Sequence, residues 1–445
     1  MGTDEVARAL RGYDRPVQLY NSLTRRKQPL PPPPGPIRMY VCGPTVYQRI
    51  HIGNARPYVV FLWLKRWLEA QGYDVTLVEN VTDVNDKIYE AAERQRIGSA
   101  ELAERATRWY LDDTEALGIG RPDHEPLASE TIPEIVALIE ELVERGLAYE
   151  SQGDVYFRVA SYPDYGSLSG AKLGDMVAQE PSDLKEDQRD FALWKATKPS
   201  EDTSWDSPWG PGRPGWHIEC SAMAEKLLGP EFEIHGGGLD LRFPHHENEL
   251  AQSRGAGRSF ARLWAHNGML ELAEEKMSKS VGNIVSLREA LETHGRDAIL
   301  LFFLTGHYRS PLEYSDEALE AAGKQAQDLR TAFRVVERPA GDLPSWDDFA
   351  AALDDDFSTP LALSILHAWR SAGELELLER GLAVFGLGVE QAGEAPPEVV
   401  RLAEEREEAR SARDFARADE LRAEIARLGW EVQDSPGGFR LIPRT

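Results

Sequence analysis

A strand–turn–helix–strand pattern near the start of the chain limits its fold more than any other feature. The apolar residues 37–42 are typical of a short buried strand. Apolar residues at helical spacing follow over 58–71, with Gly72 suited to end the helix, and residues 75–78 alternate like a second strand. Nucleotides bind at the carboxyl ends of strands in such β–α–β units. The sequence therefore predicts an α/β fold with a parallel sheet.

After this unit the sequence predicts an inserted region and then a helical C-terminal part. A helix is expected over 134–145, a strand over 153–159 in a smaller inserted region, and an irregular surface over 183–216, which is rich in Pro, Gly, Trp and charge. Residues 232–234 predict another strand. From residue 315 onward helical periodicity dominates, and the prolines at 396 and 397 mark a linker before an Arg/Glu-rich helical tail.

These changes predict seven regions. They span residues 1–16, 17–150, 151–212, 213–270, 271–314, 315–394 and 395–445, where 151–212 is an inserted region and 315–394 is helical.

Composition excludes several classes of protein. The formal net charge of −25 argues against indiscriminate nucleic-acid binding, so an RNA site has to be local. The apolar run 58–64 is too short to cross a bilayer, and the charged N-terminus lacks the apolar core of a signal peptide. Two cysteines cannot form a disulfide framework. We expect a cytoplasmic protein without a membrane segment.

Two short stretches are suited to gripping a nucleotide triphosphate. His51 precedes Gly53 and Asn54 at a probable helix start, where free backbone N–H groups attract anions. Lys276 and Lys279 lie on a loop of small polar residues and can place mobile positive charge at a departing phosphate. Taken alone, His51 could equally have a structural role, and the two lysines could equally lie on a solvated surface loop. Together they favour an ATP site.

Gly236, Gly237 and Gly238 follow the strand predicted over 232–234. Glycines here let the backbone approach adenine or ribose closely, whereas the alternative is a simple tight turn.

A metal site is a further possibility. His245 and Glu249 are one helical turn apart on one face, and Cys42 with Cys220 would add two thiolates, a combination that suits Zn²⁺. Pairing of His246 with Glu249 satisfies helix geometry equally well. The alternative for both cysteines is that they are buried small hydrophobes.

Five motifs together resemble the cysteinyl-tRNA synthetases, a family of class I aminoacyl-tRNA synthetases. The His51 and Lys276–Lys279 motifs, in this order, are similar to the class I signature pair. The motifs that carry the resemblance are YVCGPTVY (40–47), GWHIEC (215–220), HGGGLD (235–240), FPHHENE (243–249) and KMSKSVGN (276–283), and several of them are specific to the family. The resemblance runs from about residue 17 to the tail. It implies a Rossmann-like catalytic domain with an inserted region, followed by helical domains. In these terms residues 1–16 are an N-terminal extension, 17–150 and 213–270 are the two halves of the catalytic domain, and 151–212 are the connective insertion. Residues 271–314 are a signature-loop and tRNA-stem-contact region, 315–394 a helical bundle and 395–445 a small anticodon-binding domain.

The resemblance also implies roles for individual residues. It identifies the zinc ligands as Cys42, Cys220, His245 and Glu249. It assigns catalysis to His51, Asn54, Lys276 and Lys279. It places ATP at Thr45, His51, Gly53, Asn54, Gly236, Gly237 and Lys279, and the aminoacyl part of the adenylate at Cys42, Thr82, Trp216 and Asp240. It implies anticodon contacts at Arg410, Asp419 and Asp434.

The implied activity is ATP-dependent formation of cysteinyl-adenylate from L-cysteine and transfer of cysteine to tRNA-Cys. The cofactors are one Zn²⁺ per chain, which selects the thiol, and Mg²⁺ with ATP. We expect a monomer. Asn54 stands where class I motifs have histidine, Asn85 stands where the family has aspartate, and the extension over 1–16 has no assigned role.

Two alternatives stay open. Related ligases transfer activated cysteine to an amino sugar, but they lack the tRNA-reading tail that this chain carries. A non-catalytic paralogue that binds tRNA or zinc is the second alternative, and only Asn54 and Asn85 favour it. For Arg410, Asp419 and Asp434 the alternative is an ordinary charged helix surface.

Overall fold

The computed structural model describes residues 16–172, 174, 176, 180–272, 285–332, 342–389, 395–435 and 438–443. In its first part, a hairpin precedes the predicted β–α–β unit. The hairpin strands are β1 (Gln18–Asn21) and β2 (Arg26–Pro29), and the unit consists of β3 (Pro36–Val41), α1 (Ile52–Ala70) and β4 (Asp74–Glu79). Three helices and four strands follow, namely α2 (Asp86–Gln95), α3 (Ser99–Glu115), α4 (Ile132–Glu144), β5 (Ala148–Ser151), β6 (Asp154–Phe157), β7 (Phe191–Ala196) and β8 (Gly212–Pro214).

The chain then returns to the central sheet and continues into helices. The elements of this part are α5 (Trp216–Leu228), β9 (Glu231–Gly238), α6 (His245–Gly255), β10 (Phe260–Asn267), β11 (Leu270–Leu272), α7 (Leu287–His294), α8 (Arg296–Leu304), β12 (Leu312–Tyr314) and α9 (Asp316–Arg330). The last elements are α10 (Trp346–Asp354), α11 (Thr359–Ala372), α12 (Leu375–Val384), α13 (Pro397–Ser411), α14 (Phe415–Arg427), β13 (Trp430–Ser435) and β14 (Gly438–Pro443).

The central sheet is parallel, with strand order β10-β9-β3-β4. Most residues of its strands are buried, as in parallel sheets covered on both faces. Helix α1 packs on the sheet with Phe61, Trp63 and Trp67 fully buried. It begins at Ile52, before the predicted residue 58, since its polar first turn carries no apolar periodicity. The predicted α/β fold with a parallel sheet is confirmed.

The inserted region contains a separate antiparallel sheet, with order β5-β6-β7-β8. Its core includes Val155, Phe157, Leu193 and Trp194. The prediction of an irregular surface over residues 183–216 was wrong in part, because β7 and β8 lie within it. Charged and proline residues around these short strands hid their alternation.

The C-terminal part is helical, as expected from residue 315 onward. Helices α10 and α12 pack against α1, where Trp67 contacts Phe349 at a ring-centroid distance of 6.1 Å, and α11 packs on α10 and α12. Helices α13 and α14 form a small core with Val432 of the hairpin β13–β14, which replaces the expected simple tail. Among the helices that the structure describes, none has the length and apolarity needed to cross a bilayer.

Candidate active site

The carboxyl ends of β3 and β9 form a crevice in the central sheet. These strands are neighbours, but the chain continues from them in opposite directions, to β4 on one side and β10 on the other. Ligands of α/β proteins bind at such a switch point. Cys42 directly follows β3, and its N–H donates to Gly236 O at 3.1 Å. At the next position a Cβ would lie 1.8 Å from Asn80 O, so only Gly43 fits.

A cavity of about 300 Å³ opens at this crevice, and we call it the crevice cavity. It is bounded by the start of α1, by the end of β3 and by residues 267–270 after β10. The predicted site residues that line it are Cys42, Thr45, His51, Gly53, Asn54, Trp216 and Asp240. The structure thus brings predicted ATP-binding and substrate-binding residues to one cavity.

His51 is the N-cap of α1. Its side chain makes no capping hydrogen bond, its Nδ1 atom has no partner among the described residues, and the first turn of the helix carries no acidic residue. Burial lowers the pKa of His51, although the Asp240 carboxylate raises it in part. The imidazole is therefore neutral near pH 7 and can donate one hydrogen bond. A helix start without acidic residues also attracts anions.

The chain on both sides of the second predicted motif is held at the crevice cavity. Met269 and Leu270 line the cavity just before residues 273–284. After that segment, Ile52 N–H donates to Val285 O at 3.1 Å, and Ser286 pairs with His51 in an antiparallel bridge. Lys276 and Lys279 themselves lie outside the described residues.

Gly236 and Gly237 belong to strand β9 and have no left-handed backbone, so they form no tight turn. A Cβ on Gly236 would lie 2.3 Å from the Phe61 ring, and one on Gly237 would lie 2.9 Å from His246 Cε1. Their close neighbours are thus protein groups. Gly238, rather than these two, lines the crevice cavity.

Thr82 lies beside the cavity, where its backbone pairs with Thr45 in a parallel bridge. Its hydroxyl accepts a hydrogen bond from Asn80 Nδ2 at 3.1 Å. Asn85, one of the two family departures, caps α2 by accepting from Lys87 N–H at 3.1 Å. An asparagine serves this capping role as well as an aspartate does. Asn54, the other departure, is exposed to the cavity.

Trp216 connects the crevice cavity to a second cavity of about 410 Å³ beneath the inserted sheet, because it lines both. Its ring stacks on His245 at a centroid distance of 4.2 Å. Lys87 Nζ lies 5.7 Å from the centroid of the same ring. The tryptophan therefore covers the metal-ligand candidates from the side of the insertion.

The four predicted metal ligands come together, with one ligand atom of each within 4.8 Å of the others. We call Cys42, Cys220, His245 and Glu249 the four-donor cluster. Cys42 Sγ lies 3.3 Å from Glu249 Oε1, and His245 Nε2 lies 3.1 Å from the same oxygen. All four side chains are buried. A second group, which replaces Cys220 and His245 by His235 and His246, satisfies the same distance criterion.

Burial controls the protonation of this cluster. It raises the pKa of both thiols, that of Cys42 well above its usual value, and it lowers the pKa of His245 and His246. Without a cation the sulfurs are therefore protonated and the imidazoles neutral. A bound divalent cation would reverse the thiol protonation, since metal ligation requires thiolates.

Sequence reasoning missed three histidines around the cluster. His217 Nδ1 lies 2.9 Å from His245 Nδ1, His235 Nε2 lies 2.8 Å from Glu249 Oε2, and His266 Nε2 lies 2.8 Å from His246 Nδ1. His235 and His266 are buried, and His217 is partly buried. The available signal was a histidine near the carboxyl end of a predicted or neighbouring strand, at 235 in β9 and at 266 in β10.

The predicted anticodon residues lie in the C-terminal unit, far along the chain from the crevice. Arg410 is in the last turn of α13, where its guanidinium lies 3.6 Å from Glu407. Asp419 is exposed on α14, and Asp434 is on β13, paired with Phe439.

Solved structures share the fold of the catalytic part. The methionyl-tRNA synthetase of Mycobacterium tuberculosis in complex with methionyl-adenylate matches with a TM-score of 0.57 and 17% identity, over 79% of this chain and 91% of that chain. The ternary complex of Agrobacterium radiobacter LeuRS with tRNA and LeuAMS matches with a TM-score of 0.56 and 12% identity, over 80% and 84%. At these identities the likeness establishes the fold alone.

Sequence relatives are much more similar. The cysteine–tRNA ligase of Cupriavidus taiwanensis is 46% identical, over 95% of this chain and 98% of the relative, and that of Brevibacillus brevis is 45% identical, over 95% and 99%. The family model for the class I (C) tRNA synthetase catalytic domain matches residues 31–324, and that for the cysteinyl-tRNA ligase anticodon-binding domain matches residues 392–439. With both domains matched and almost the whole length covered, the chain belongs to the cysteine–tRNA ligase family of class I aminoacyl-tRNA synthetases.

Proposed function

We propose that the chain activates L-cysteine with ATP and transfers the cysteinyl group to the 3′-terminal adenosine of tRNA-Cys. The observation that carries this proposal is the position of Cys42, which lines the crevice cavity and also belongs to the four-donor cluster. A ligand in the cavity can therefore contact a helix N-terminus and a set of metal ligands at once. The similarity to cysteine–tRNA ligases over almost the whole chain supports the same reaction.

The four-donor cluster fits a zinc ion, because two thiolates, an imidazole and a carboxylate are ligand types that zinc accepts. His217 holds His245 from behind and His235 holds Glu249, as partners of metal ligands do. We therefore assign His235 and His246, the members of the second group, to positioning. When bound, zinc would take the sulfur of L-cysteine as a thiolate, which the poorly ionised hydroxyl of serine cannot match.

The protein groups around the cavity suit adenylate formation. A carboxylate oxygen of cysteine attacks the α-phosphorus of ATP, and the bond to the leaving pyrophosphate breaks. Magnesium accompanies the ATP. The positive end of the α1 dipole and the neutral His51 imidazole, which can donate one hydrogen bond, stabilise the charged oxygens. Lys276 and Lys279 are assigned from the sequence to the pyrophosphate, and Thr45, Gly53, Asn54, Gly236 and Gly237 to the rest of ATP.

In the second step a ribose hydroxyl of the terminal adenosine attacks the cysteinyl carbonyl, and AMP leaves. We assign Thr82, Trp216 and Asp240 to the aminoacyl part of the adenylate. At the other end of the chain, Arg410, Asp419 and Asp434 are assigned to the anticodon. The seven-region division, the monomeric state and the cytoplasmic location stay predictions.

Cysteine-dependent ATP–pyrophosphate exchange tests the first step, and charging of total tRNA tests the second. We expect exchange with cysteine but not with serine, followed by transfer to tRNA. Transfer to glucosaminyl-inositol without transfer to tRNA would replace the proposal with the amino-sugar ligase. A folded chain that binds zinc without exchange would support the non-catalytic alternative.

A further inference from the structure

Three consecutive aspartates at the end of α10 contact three different parts of the molecule. Asp354 accepts from Trp67 Nε1 of α1 at 3.0 Å, and the exposed Asp355 pairs with Lys27 of β2 at 2.7 Å. Asp356 is 1% exposed and contacts the segment before β12. The three side chains thus differ in partner although they are adjacent in sequence.

Asp356 accepts hydrogen bonds at both carboxylate oxygens. Tyr20 N–H and Tyr308 OH donate to Oδ1 at 2.8 and 3.0 Å, and Arg309 Nε donates to Oδ2 at 2.8 Å. Bonds to a buried charged group are among the stronger hydrogen bonds in proteins. Asp356 therefore fixes residues 308 and 309 relative to the N-terminal hairpin.

The backbone at this aspartate is strained. Asp356 and Phe357 both adopt left-handed conformations, with φ of 65° and 49°. Such conformations are costly for residues other than glycine and persist where the surroundings hold them. A second bond holds the same loop, because Thr359 Oγ1 donates to Gly306 O at 2.9 Å. The loop thus contacts residues 306–309 through two of its side chains, Asp356 and Thr359.

Residues 306–310 in turn support one wall of the crevice cavity, formed by Gly268, Met269 and Leu270. Gly268 N–H donates to Tyr308 O at 2.7 Å. The two segments are so close that a Cβ on Gly268 would lie 2.1 Å from Ser310 O. The wall therefore cannot shift without residues 308–310.

Arg56 joins the same wall to the other side of the cavity. This fully buried side chain lies on α1, five positions after His51, and donates to Gly268 O at 2.7 Å, to Met269 O at 3.1 Å and to His307 O at 3.2 Å. Arg56 thus links residues 268 and 269 of the wall to residue 307 of the segment that supports it. The wall, Arg56 and the loop of Asp356 form one continuous hydrogen-bonded unit.

We propose that Asp356 is a positioning residue for ATP: through Tyr308 and Arg309 it sets the wall of the crevice cavity that residues 268–270 form. It has no contact with the cavity itself. The inference rests on the proposed function, since it takes the crevice cavity as the ATP site. It assigns a role in nucleotide binding to a loop of the C-terminal helical part.

The test compares the isosteric variants Asp356→Asn and Asp355→Asn by cysteine-dependent ATP–pyrophosphate exchange. For D356N we expect the KM for ATP to rise about 10-fold, the scale of losing charge-assisted hydrogen bonds, with the KM for cysteine and the zinc content unchanged. D355N removes only an exposed ion pair and should match the wild type. Tyr308→Phe, which removes a single bond, should raise the KM for ATP by a smaller factor.

A lower melting temperature of D356N with an unchanged KM for ATP would overturn the inference, because Asp356 would then only join the helical part to the rest. If D356N does not fold, Y308F is used instead: a raised KM for ATP would support the inference, and a lower melting temperature with an unchanged KM for ATP would overturn it. Absence of exchange in the wild type would instead refute the proposed function. The two failures are therefore distinguishable.

Discussion

Cys42 and Glu249 are 207 positions apart in the chain, yet Cys42 Sγ lies 3.3 Å from Glu249 Oε1. The contact joins the end of a central strand to a helix that is polar but almost completely buried, since α6 buries every residue from His245 to Ser253. Burying so many polar groups is unfavourable unless they have partners. Three of those groups have ligand atoms within reach of Cys42.

The first prediction concerns Cys220→Ser. If the four-donor cluster holds zinc, loss of one thiolate should weaken zinc binding by at least about 100-fold. Loss of a residue that only hydrogen-bonds to a ligand weakens metal binding by up to about that factor. It should also reduce selection of cysteine over serine in the exchange reaction. Zinc content is measured by elemental analysis of the purified protein. Ser221→Ala is the matched control, because it alters the adjacent buried side chain, whose hydroxyl donates to Gln252.

The second prediction separates the two possible donor groups. His245→Ala should remove zinc, whereas His246→Ala should keep it, because the proposed four-donor cluster contains His245 and assigns His246 to positioning. Both histidines are buried on the same helix, so loss of packing is similar in the two variants. Zinc retained in H245A and lost in H246A would show that the metal uses the group with His235 and His246.

The sequence was sufficient for the β–α–β start, because local apolar spacing determines it. His51 was placed at a helix N-terminus by the glycine that follows it, whereas apolar spacing alone put the helix start at residue 58. By spacing alone, His245 and His246 were equivalent partners for Glu249, and in the structure both remain within reach of it. What differs is the set of long-range partners, His217 for one and His266 for the other. Such contacts arise only after distant strands and helices have packed, so no local pattern contains them.

The surroundings of Gly236 and Arg56 likewise could not be predicted from local sequence patterns. The sequence suggested that Gly236 lets a ligand approach, and the structure adds a packing reason for a glycine there, because a Cβ would meet the ring of Phe61 on α1. Arg56 lies in a helical stretch and its type suggests an exposed residue, yet it is fully buried against backbone carbonyls that lie beyond residue 267. Both depend on how α1 sits on the sheet, which is a tertiary property.

The third prediction uses the pH dependence of stability. Burial raises the pKa of Glu79 to about 8 from the usual 4.5, and the hydrogen bond from Tyr110 OH at 3.0 Å offsets this only in part. Between these pKa values the folded state holds a proton that the unfolded state has lost. The contribution of Glu79 to stability is therefore fully present below about pH 4.5 and is lost as the pH rises through 8.

In Glu79→Gln this pH dependence should disappear. Across the window the wild type should lose up to about 1.4 kcal/mol of stability per pH unit relative to the variant. The difference in melting temperature between the two proteins, measured from pH 5 to pH 8.5, reports it. A difference that stays constant with pH would mean that Glu79 is ionised in the folded protein throughout.

The fourth prediction concerns the assignment of Arg410 to the anticodon. Arg410→Ala should raise the KM for tRNA about 10-fold, on the scale of 1–3 kcal/mol for one specific side-chain contact to a base, and leave cysteine-dependent exchange unchanged, since exchange needs no tRNA. Arg401→Ala is the control. Both arginines are on α13 and each lies near a glutamate, but at 3.6 residues per turn they are on opposite faces of the helix. An equal effect of both variants would indicate non-specific attraction of the RNA by positive charge, and no effect of either would remove Arg410 from the anticodon site.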